Sequence, residues 1–185
     1  MEIEEAIYGR RSVRAYTAEP VSIELVQKVV EAGTYAPSAK NGQQWRFTVC
    51  TGDSKVRLVS AFRKGLKDTE ARIDASSMGS SWNSLAIMER APVVVIVWNA
   101  GRMGWESEAH SVAAAVQNML LMAYALGLGS LWIADVFYAP ESIRRHLGKE
   151  WKLTAAVALG WPEEGERNKV PPKKMGVDEV TEFLD

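Results

Sequence analysis

The pattern of apolar and polar positions predicts helices interspersed with four short strands, the arrangement of an α+β domain. Between about residues 66 and 90 the pattern is too weak to assign an element. The length suits one domain, which we assign to residues 1–185. Helices are predicted over residues 3–9, from Ser22 to just before Pro37, roughly over 55–65, and over 107–126, 140–147 and 177–184; strands are predicted over 45–51, 93–98, 130–133 and 154–159.

The predicted helix over residues 107–126 is apolar on almost every side. Ser107 is its candidate N-cap, and Gly127 is placed to end it. A helix that lacks a polar face must be enclosed, either by its own domain or by a partner subunit. Its apolar positions are Val112, Ala113, Ala114, Ala115, Val116, Met119, Leu120, Leu121 and Met122.

The composition excludes several classes of protein. Lys and Arg number 22 against 23 Asp and Glu, and a net charge of -1 argues against a nucleic-acid binder that relies on overall basicity. One Cys excludes an intramolecular disulfide framework, and one Cys with two His are too few for a typical zinc site. The apolar runs are too short to span a membrane, and the first residues lack the pattern of a signal peptide. We therefore expect a cytoplasmic protein without nucleic-acid or membrane partners.

A basic cluster follows the first predicted helix. Arg10, Arg11, Ser12 and Arg14 place three guanidinium groups and one hydroxyl within five residues. Guanidinium groups match phosphate oxygens in geometry and charge, and a hydroxyl adds a neutral donor. The alternative is a solvated basic loop that nearby glutamates balance. No Walker-type phosphate loop occurs in the sequence.

A second polar segment, residues 38–44, carries three side-chain amides, on Asn41, Gln43 and Gln44. An amide offers both a donor and an acceptor, so such a loop can pair with a ligand edge that alternates C=O and N–H, such as the pyrimidine end of a flavin. The alternative is a polar turn whose amides bond to their own backbone.

Side chains suited to acid–base or nucleophilic catalysis are scarce. His110 lies on the long apolar helix, His146 follows two arginines near a helix end, and Cys50 lies in a strand, so each favours a structural or solvated role. No nucleophile-elbow motif occurs. An enzyme with this sequence therefore needs a cofactor that carries the reaction.

Five motifs, taken together and in this order, resemble those of the nitroreductase-like FMN flavoproteins. The resemblance covers essentially the whole chain. It implies a nitroreductase-like fold, in which helices flank a central, mostly antiparallel sheet and a long buried helix lies at the dimer interface. The motifs are RRSVR at residues 10–14, APSAKNGQQWRF at 36–47, GLGSLWI at 127–133, ALGWP at 158–162 and PPKK at 171–174.

The resemblance also implies a homodimer with two FMN sites, each built from both subunits. The basic cluster would hold the FMN phosphate and ribityl chain, together with Lys173 or Lys174, where the family often has Arg. The loop with Pro37, Ser38, Ala39 and Asn41 would approach the flavin from the other subunit. Backbone groups at Trp132, Ile133, Ala134 and Asp135 would run along the isoalloxazine, and Asn83 would contact the flavin edge.

The activity that this resemblance implies is an FMN-dependent oxidoreduction. NAD(P)H would reduce the flavin, which would then reduce a nitroaromatic, a quinone or another small electron-poor acceptor in a ping-pong reaction, with no side chain as the catalytic group. Two alternatives stay open: a non-catalytic flavin-binding or flavin-storing protein, and a specialised flavin enzyme such as a reductive dehalogenase or a flavin-degrading enzyme.

Overall fold

A computed structural model describes residues 2–167 and 169–184 of the chain. The four predicted strands are present, and the helices lie before, between and after them. The helices are α1 (Ile3–Gly9), α2 (Ile23–Thr34), α3 (Gly52–Glu70), α4 (Ser81–Arg90), α5 (Glu106–Ala125), α6 (Pro140–Leu147) and α7 (Val177–Val180); the strands are β1 (Trp45–Thr51), β2 (Val93–Asn99), β3 (Gly129–Ile133) and β4 (Lys152–Gly160).

The four strands form one antiparallel sheet in the order β1-β2-β4-β3. The central strand β2 is buried along its whole length, as its continuous apolar run predicts. Val93, Val95 and Val97 pack with α2 and α5 on one face, whereas Val94, Ile96 and Trp98 pack with α3, α4 and α6 on the other. The α+β prediction, with a sheet flanked by helices, is thus confirmed. Strand β3 lies at one edge of the sheet, where its outer side is open to other groups.

Four predicted details were wrong, each for a local reason. Helix α4 escaped prediction because Ser81 and Ser84 occupy inward positions and interrupt the apolar periodicity. Helix α3 runs well past residue 65 because Leu66 still packs in the core. Ser107 is not a cap: α5 begins one residue earlier, and the Ser107 carbonyl accepts a hydrogen bond from Ser111. The last helix ends at Val180, and residues 181–184 are exposed.

Helix α5 is enclosed on one side only. Val112, Ala115, Val116 and Met119 are buried against the sheet and α2. The opposite side borders an apolar groove of about 420 Å³ between α1, α2 and α5, which is lined by Ile3, Ala6, Ala32, Tyr35, Leu121, Met122 and Ala125 together with Glu2 and Asn118. Within the described part of the chain, no helix is long and apolar enough to cross a lipid bilayer.

Candidate functional site

The basic cluster forms a loop that is fixed to the open edge of β3. The Val13 N–H donates to the Ser130 carbonyl at 3.0 Å, and Ser12 pairs with Ser130 in a parallel bridge. The buried Tyr16 hydroxyl donates to the Val13 carbonyl at 2.8 Å. A Cβ atom added to Gly129 would lie only 2.7 Å from Val13 Cγ1, so a glycine is needed for this close approach. The fold therefore holds the arginines at a defined position beside the sheet.

We expect Gly129→Ala to push the basic loop away from β3. Val13 is buried and branched at Cβ, so it cannot rotate aside, and overpacking of this kind costs about 1–3 kcal/mol. Urea unfolding should show a lower midpoint than wild type. Gly176→Ala is the matched control, because its added Cβ would meet its nearest neighbour only at 3.4 Å and its unfolding should change little.

The basic loop, the end of α1, Glu166 and residues 169–174 line a cavity of about 780 Å³. Its polar lining suits an anionic group, because guanidinium and ammonium groups match phosphate oxygens and Ser12 adds a hydroxyl. Lys173 and the basic cluster, which are far apart in sequence, are therefore brought together. The cationic lining residues are Arg10, Arg11, Arg14, Lys169, Lys173 and Lys174.

The three arginines are not equally available to a ligand. Arg11 Nη1 donates to the Tyr8 and Arg10 carbonyls, at 2.6 and 2.9 Å, which fixes this side chain on the end of α1. Its Nε is buried and has no acceptor among the described residues. Arg14 Nη1 donates to the Ser12 carbonyl at 3.2 Å. The side chain of Arg10 makes no hydrogen bond within residues 2–167 and 169–184, so its donors are free for an anion.

Glu166 is the one acidic residue among those that line the cavity, and sequence reasoning missed it. It is 7% exposed. Its carboxylate accepts the Arg14 N–H at 3.0 Å and pairs with the Lys169 ammonium. Burial alone would raise the pKa of Glu166, but the hydrogen bonds from Arg14 and Lys169, the charge of Lys169 and the Ala15 N–H outweigh it, and the pKa is lowered. No sequence signal marks this carboxylate, because its partner Arg14 is 152 residues away.

We expect Glu166→Gln to destabilise the protein at neutral pH but not in acid. A carboxylate with a lowered folded pKa stabilises above its unfolded pKa, about 4.3, and the stabilisation is lost as the pH falls through the folded pKa. Urea unfolding at pH 7 should therefore separate the variant from wild type, and the difference should shrink towards pH 3. Glu164 is exposed and close in sequence, so Glu164→Gln is the control, and its stability in urea should equal that of wild type at every pH. A constant difference at all pH values would contradict this assignment.

Beyond the basic loop, β3 presents backbone groups at its open edge. The Ser130 carbonyl points away from β4, because it accepts the Val13 N–H. In an antiparallel ladder every second residue faces the same way, so the N–H and C=O of Trp132 also point outward. Ile133 is buried, and Ala134 is exposed where the strand ends. A planar ligand that extends from the basic cavity along this edge would thus meet backbone donors and acceptors at Trp132.

Asp135 connects the end of β3 to α4. Its carboxylate accepts hydrogen bonds from the hydroxyls of Ser80 and Ser84. These bonds hold the start of α4, which carries the exposed Asn83, next to the end of β3. The family resemblance implied roles for Asp135 and Asn83 separately, whereas the serines that join them lie in the segment without a recognised pattern.

The amide loop, residues 38–44, is strained and firmly held. Lys40, Asn41 and Gln43 all have positive φ angles, of 52°, 51° and 44°. Such conformations of residues other than glycine cluster at functional sites, where the surrounding structure enforces them. Here the bracing bonds are Gln43 N–H to Ser38 Oγ, Ala39 N–H to Ser111 Oγ, the Gln44 amide to the Ala39 carbonyl and the Gln43 amide to Asn41 Oδ1.

The structure therefore divides the predicted site residues into two sets. The amide loop, with Pro37 through Asn41, is held at Ser111 near the start of α5. The basic loop lies near the other end of α5, where Gly9 packs against Tyr124. Ser111 and Tyr124 are 13 residues apart in the helix, about 20 Å along its axis. The amide loop accordingly does not line the basic cavity of its own chain.

Comparisons with known proteins show the family to which this fold belongs. A family model described as the nitroreductase family matches residues 7–161. A nitrobenzene nitroreductase of Ectopseudomonas oleovorans is 27% identical, over 98% of this chain and 96% of that protein. Among solved structures, a provisionally assigned nitroreductase from Desulfovibrio desulfuricans in complex with FMN is 28% identical, with a TM-score of 0.78 and coverage of 100% and 98%. A BluB-like flavoprotein from Clostridium difficile is 27% identical, with a TM-score of 0.81 and full coverage of both chains.

Proposed function

Because the chain belongs to the nitroreductase family, we propose that it is an NAD(P)H-dependent FMN oxidoreductase that reduces nitroaromatics, quinones or similar small electron-poor acceptors. The observation that supports this most directly is the basic cavity at the open edge of β3. A cationic cavity beside the outward N–H and C=O of Trp132 suits a ligand with a phosphate at one end and a planar, hydrogen-bonding ring at the other.

The residues present fit FMN. Arg10, Arg14 and Lys173 or Lys174 would hold the phosphate, with Ser12 as a neutral donor. Trp132, Ala134 and Asp135 would orient the ring through their backbone, and Asn83 would contact its edge. Ile133 pairs with Ala156 of β4, so its N–H and C=O face β4 and not the ring. When bound, FMN supplies two-electron chemistry, taking a hydride from NAD(P)H and delivering electrons to the acceptor. The protein's residues bind the cofactor, orient it and surround it with charge.

We further propose that the functional unit is a homodimer whose two sites each combine both chains. Two copies related by a two-fold axis across the middle of α5 would place the first half of one helix beside the second half of its partner. The amide loop of one copy would then approach the basic cavity of the other. This arrangement would reunite the two sets of site residues that lie about 20 Å apart along α5 in one chain.

Exposed apolar surface supports the dimer. Ile3 and Tyr35, which line the apolar groove beside α5, are 70% and 80% exposed. The tail after the basic cavity is also exposed and carries apolar side chains. Apolar surface of this extent on a monomer is typical of an interaction site. The exposed apolar tail residues are Val170, Met175, Val177, Val180, Phe183 and Leu184.

Anaerobic reduction tests the proposal. The purified protein should be yellow, or should become yellow with added FMN, and NADH or NADPH should bleach the colour far faster than that of free FMN. Addition of menadione or a nitroaromatic should restore the colour. Persistent colour with both nucleotides would favour a flavin-storage protein, and a colourless protein that does not take up FMN would contradict both functions.

A further inference from the structure

A lysine in the amide loop lies on an exposed tryptophan. The Lys40 ammonium nitrogen is 4.6 Å from the centre of the Trp105 ring, within the range of a cation–π interaction. Both side chains are exposed, and 43% of the Trp105 surface remains accessible. The pair thus presents an ammonium group and part of an aromatic face to whatever occupies the space in front of the amide loop.

Hydrogen bonds hold the backbone in place at both members of the pair. Lys40 adopts the left-handed conformation that the bonds of the amide loop enforce. Trp105 directly precedes α5, and the loop before it is held by the buried carboxylate of Glu108, which accepts the N–H groups of Met103 and Gly104, each at 3.1 Å. Side chains on a rigid backbone lose less entropy when they bind a ligand, so this pair is preorganised.

We propose that Lys40 and Trp105 select the electron acceptor, favouring aromatic compounds that carry an anionic group such as a carboxylate. This inference rests on the proposed function, in which the amide loop faces the flavin of the other subunit. The exposed part of the Trp105 face packs against the acceptor ring, and the Lys40 ammonium donates to its carboxylate. Glu108 does not compete for Lys40, because its oxygens accept N–H groups of the preceding loop.

Binding of two matched ligands to the oxidised, FMN-loaded protein tests the selection without turnover. Benzoate and benzamide have the same shape, but only benzoate is charged at pH 7. Calorimetric titration should give a dissociation constant about tenfold lower for benzoate, as expected of one partly solvated charge-assisted hydrogen bond. In Lys40→Met the ratio should approach one. The control is Lys149→Met, which removes the lysine of another Lys–Trp pair, 5.2 Å from the Trp151 ring, and should keep the wild-type ratio.

Kinetics give a second readout. The ratio of kcat/KM for 4-nitrobenzoate over nitrobenzene should fall about tenfold in Lys40→Met, while turnover with the neutral quinone menadione stays within about twofold of wild type. If Lys40→Met and wild type give the same ratio of benzoate to benzamide dissociation constants while menadione is still reduced, the proposed acceptor selection is wrong. The proposed function would then remain intact. Failure to bind FMN, or to reduce any acceptor, would overturn both.

Discussion

Replacing both Arg10 and Arg14 by Ala should weaken FMN binding about 100-fold. Each guanidinium lies in the basic cavity, and a hydrogen bond between charged groups contributes about 1.5–3 kcal/mol before solvent weakens it. About tenfold per residue is a conservative value for these partly exposed side chains. Arg10→Ala should lower the affinity more than Arg14→Ala, because the Arg10 side chain donates to no described residue, whereas the Arg14 side chain already donates to the Ser12 carbonyl.

Quenching of FMN fluorescence during titration measures the affinity. Arg57→Ala is the matched control, since Arg57 is exposed on α3 and does not line the cavity, and its affinity should equal that of wild type. Unfolding of all variants in urea separates loss of the ligand from loss of the fold. Wild-type affinity in Arg10→Ala and Arg14→Ala alike would refute the phosphate assignment.

Leu121→Glu should convert the proposed dimer into a monomer and abolish tight FMN binding. Leu121 lines the apolar groove beside α5, and a carboxylate buried in an apolar interface without a partner costs several kcal/mol. Leu121 is only half-buried in the single chain and borders the open groove, so in a free monomer the new carboxylate can reach water and the fold itself should survive. The amide loop would then no longer reach the basic cavity of a second chain, and half of the proposed site would be missing.

Light scattering at micromolar concentration measures the molecular mass, and FMN titration measures the affinity of the site for FMN. Val56→Glu is the matched control, because Val56 is 61% exposed on α3, away from the groove, and should leave both readouts unchanged. A Leu121→Glu protein that stays dimeric, or a monomer that binds FMN as tightly as wild type, would contradict the shared site.

The sequence predicted those features that depend on neighbours along the chain. The four strands follow from short apolar runs, and β1 was predicted with its observed bounds, Trp45–Thr51. The Ser22 hydroxyl caps α2, as expected. The arginines of the basic cluster were recognised because they stand within five residues, and the structure adds that Lys173 shares their cavity.

Features that depend on distant pairs were not predictable. Glu166 meets Arg14 across 152 residues, and Asp135 meets Ser80 across 55. No local pattern predicts either contact, because serine, aspartate and glutamate also occur commonly on solvated surfaces where they make no such contact. The pairing of Lys40 with Trp105 also depends on tertiary structure, since the amide loop must first be anchored to Ser111 on α5. The roles of the predicted FMN-contacting residues remain predictions that the variants above test.

The length of α5 has a thermodynamic consequence. If the two halves of a site lie about 20 Å apart in one chain and meet only between chains, ligand binding and subunit association are linked equilibria. FMN then strengthens the dimer by the same free energy by which the dimer strengthens FMN binding. Retention of the cofactor would thus depend on protein concentration, and dilution would release flavin even where no residue of the site has changed.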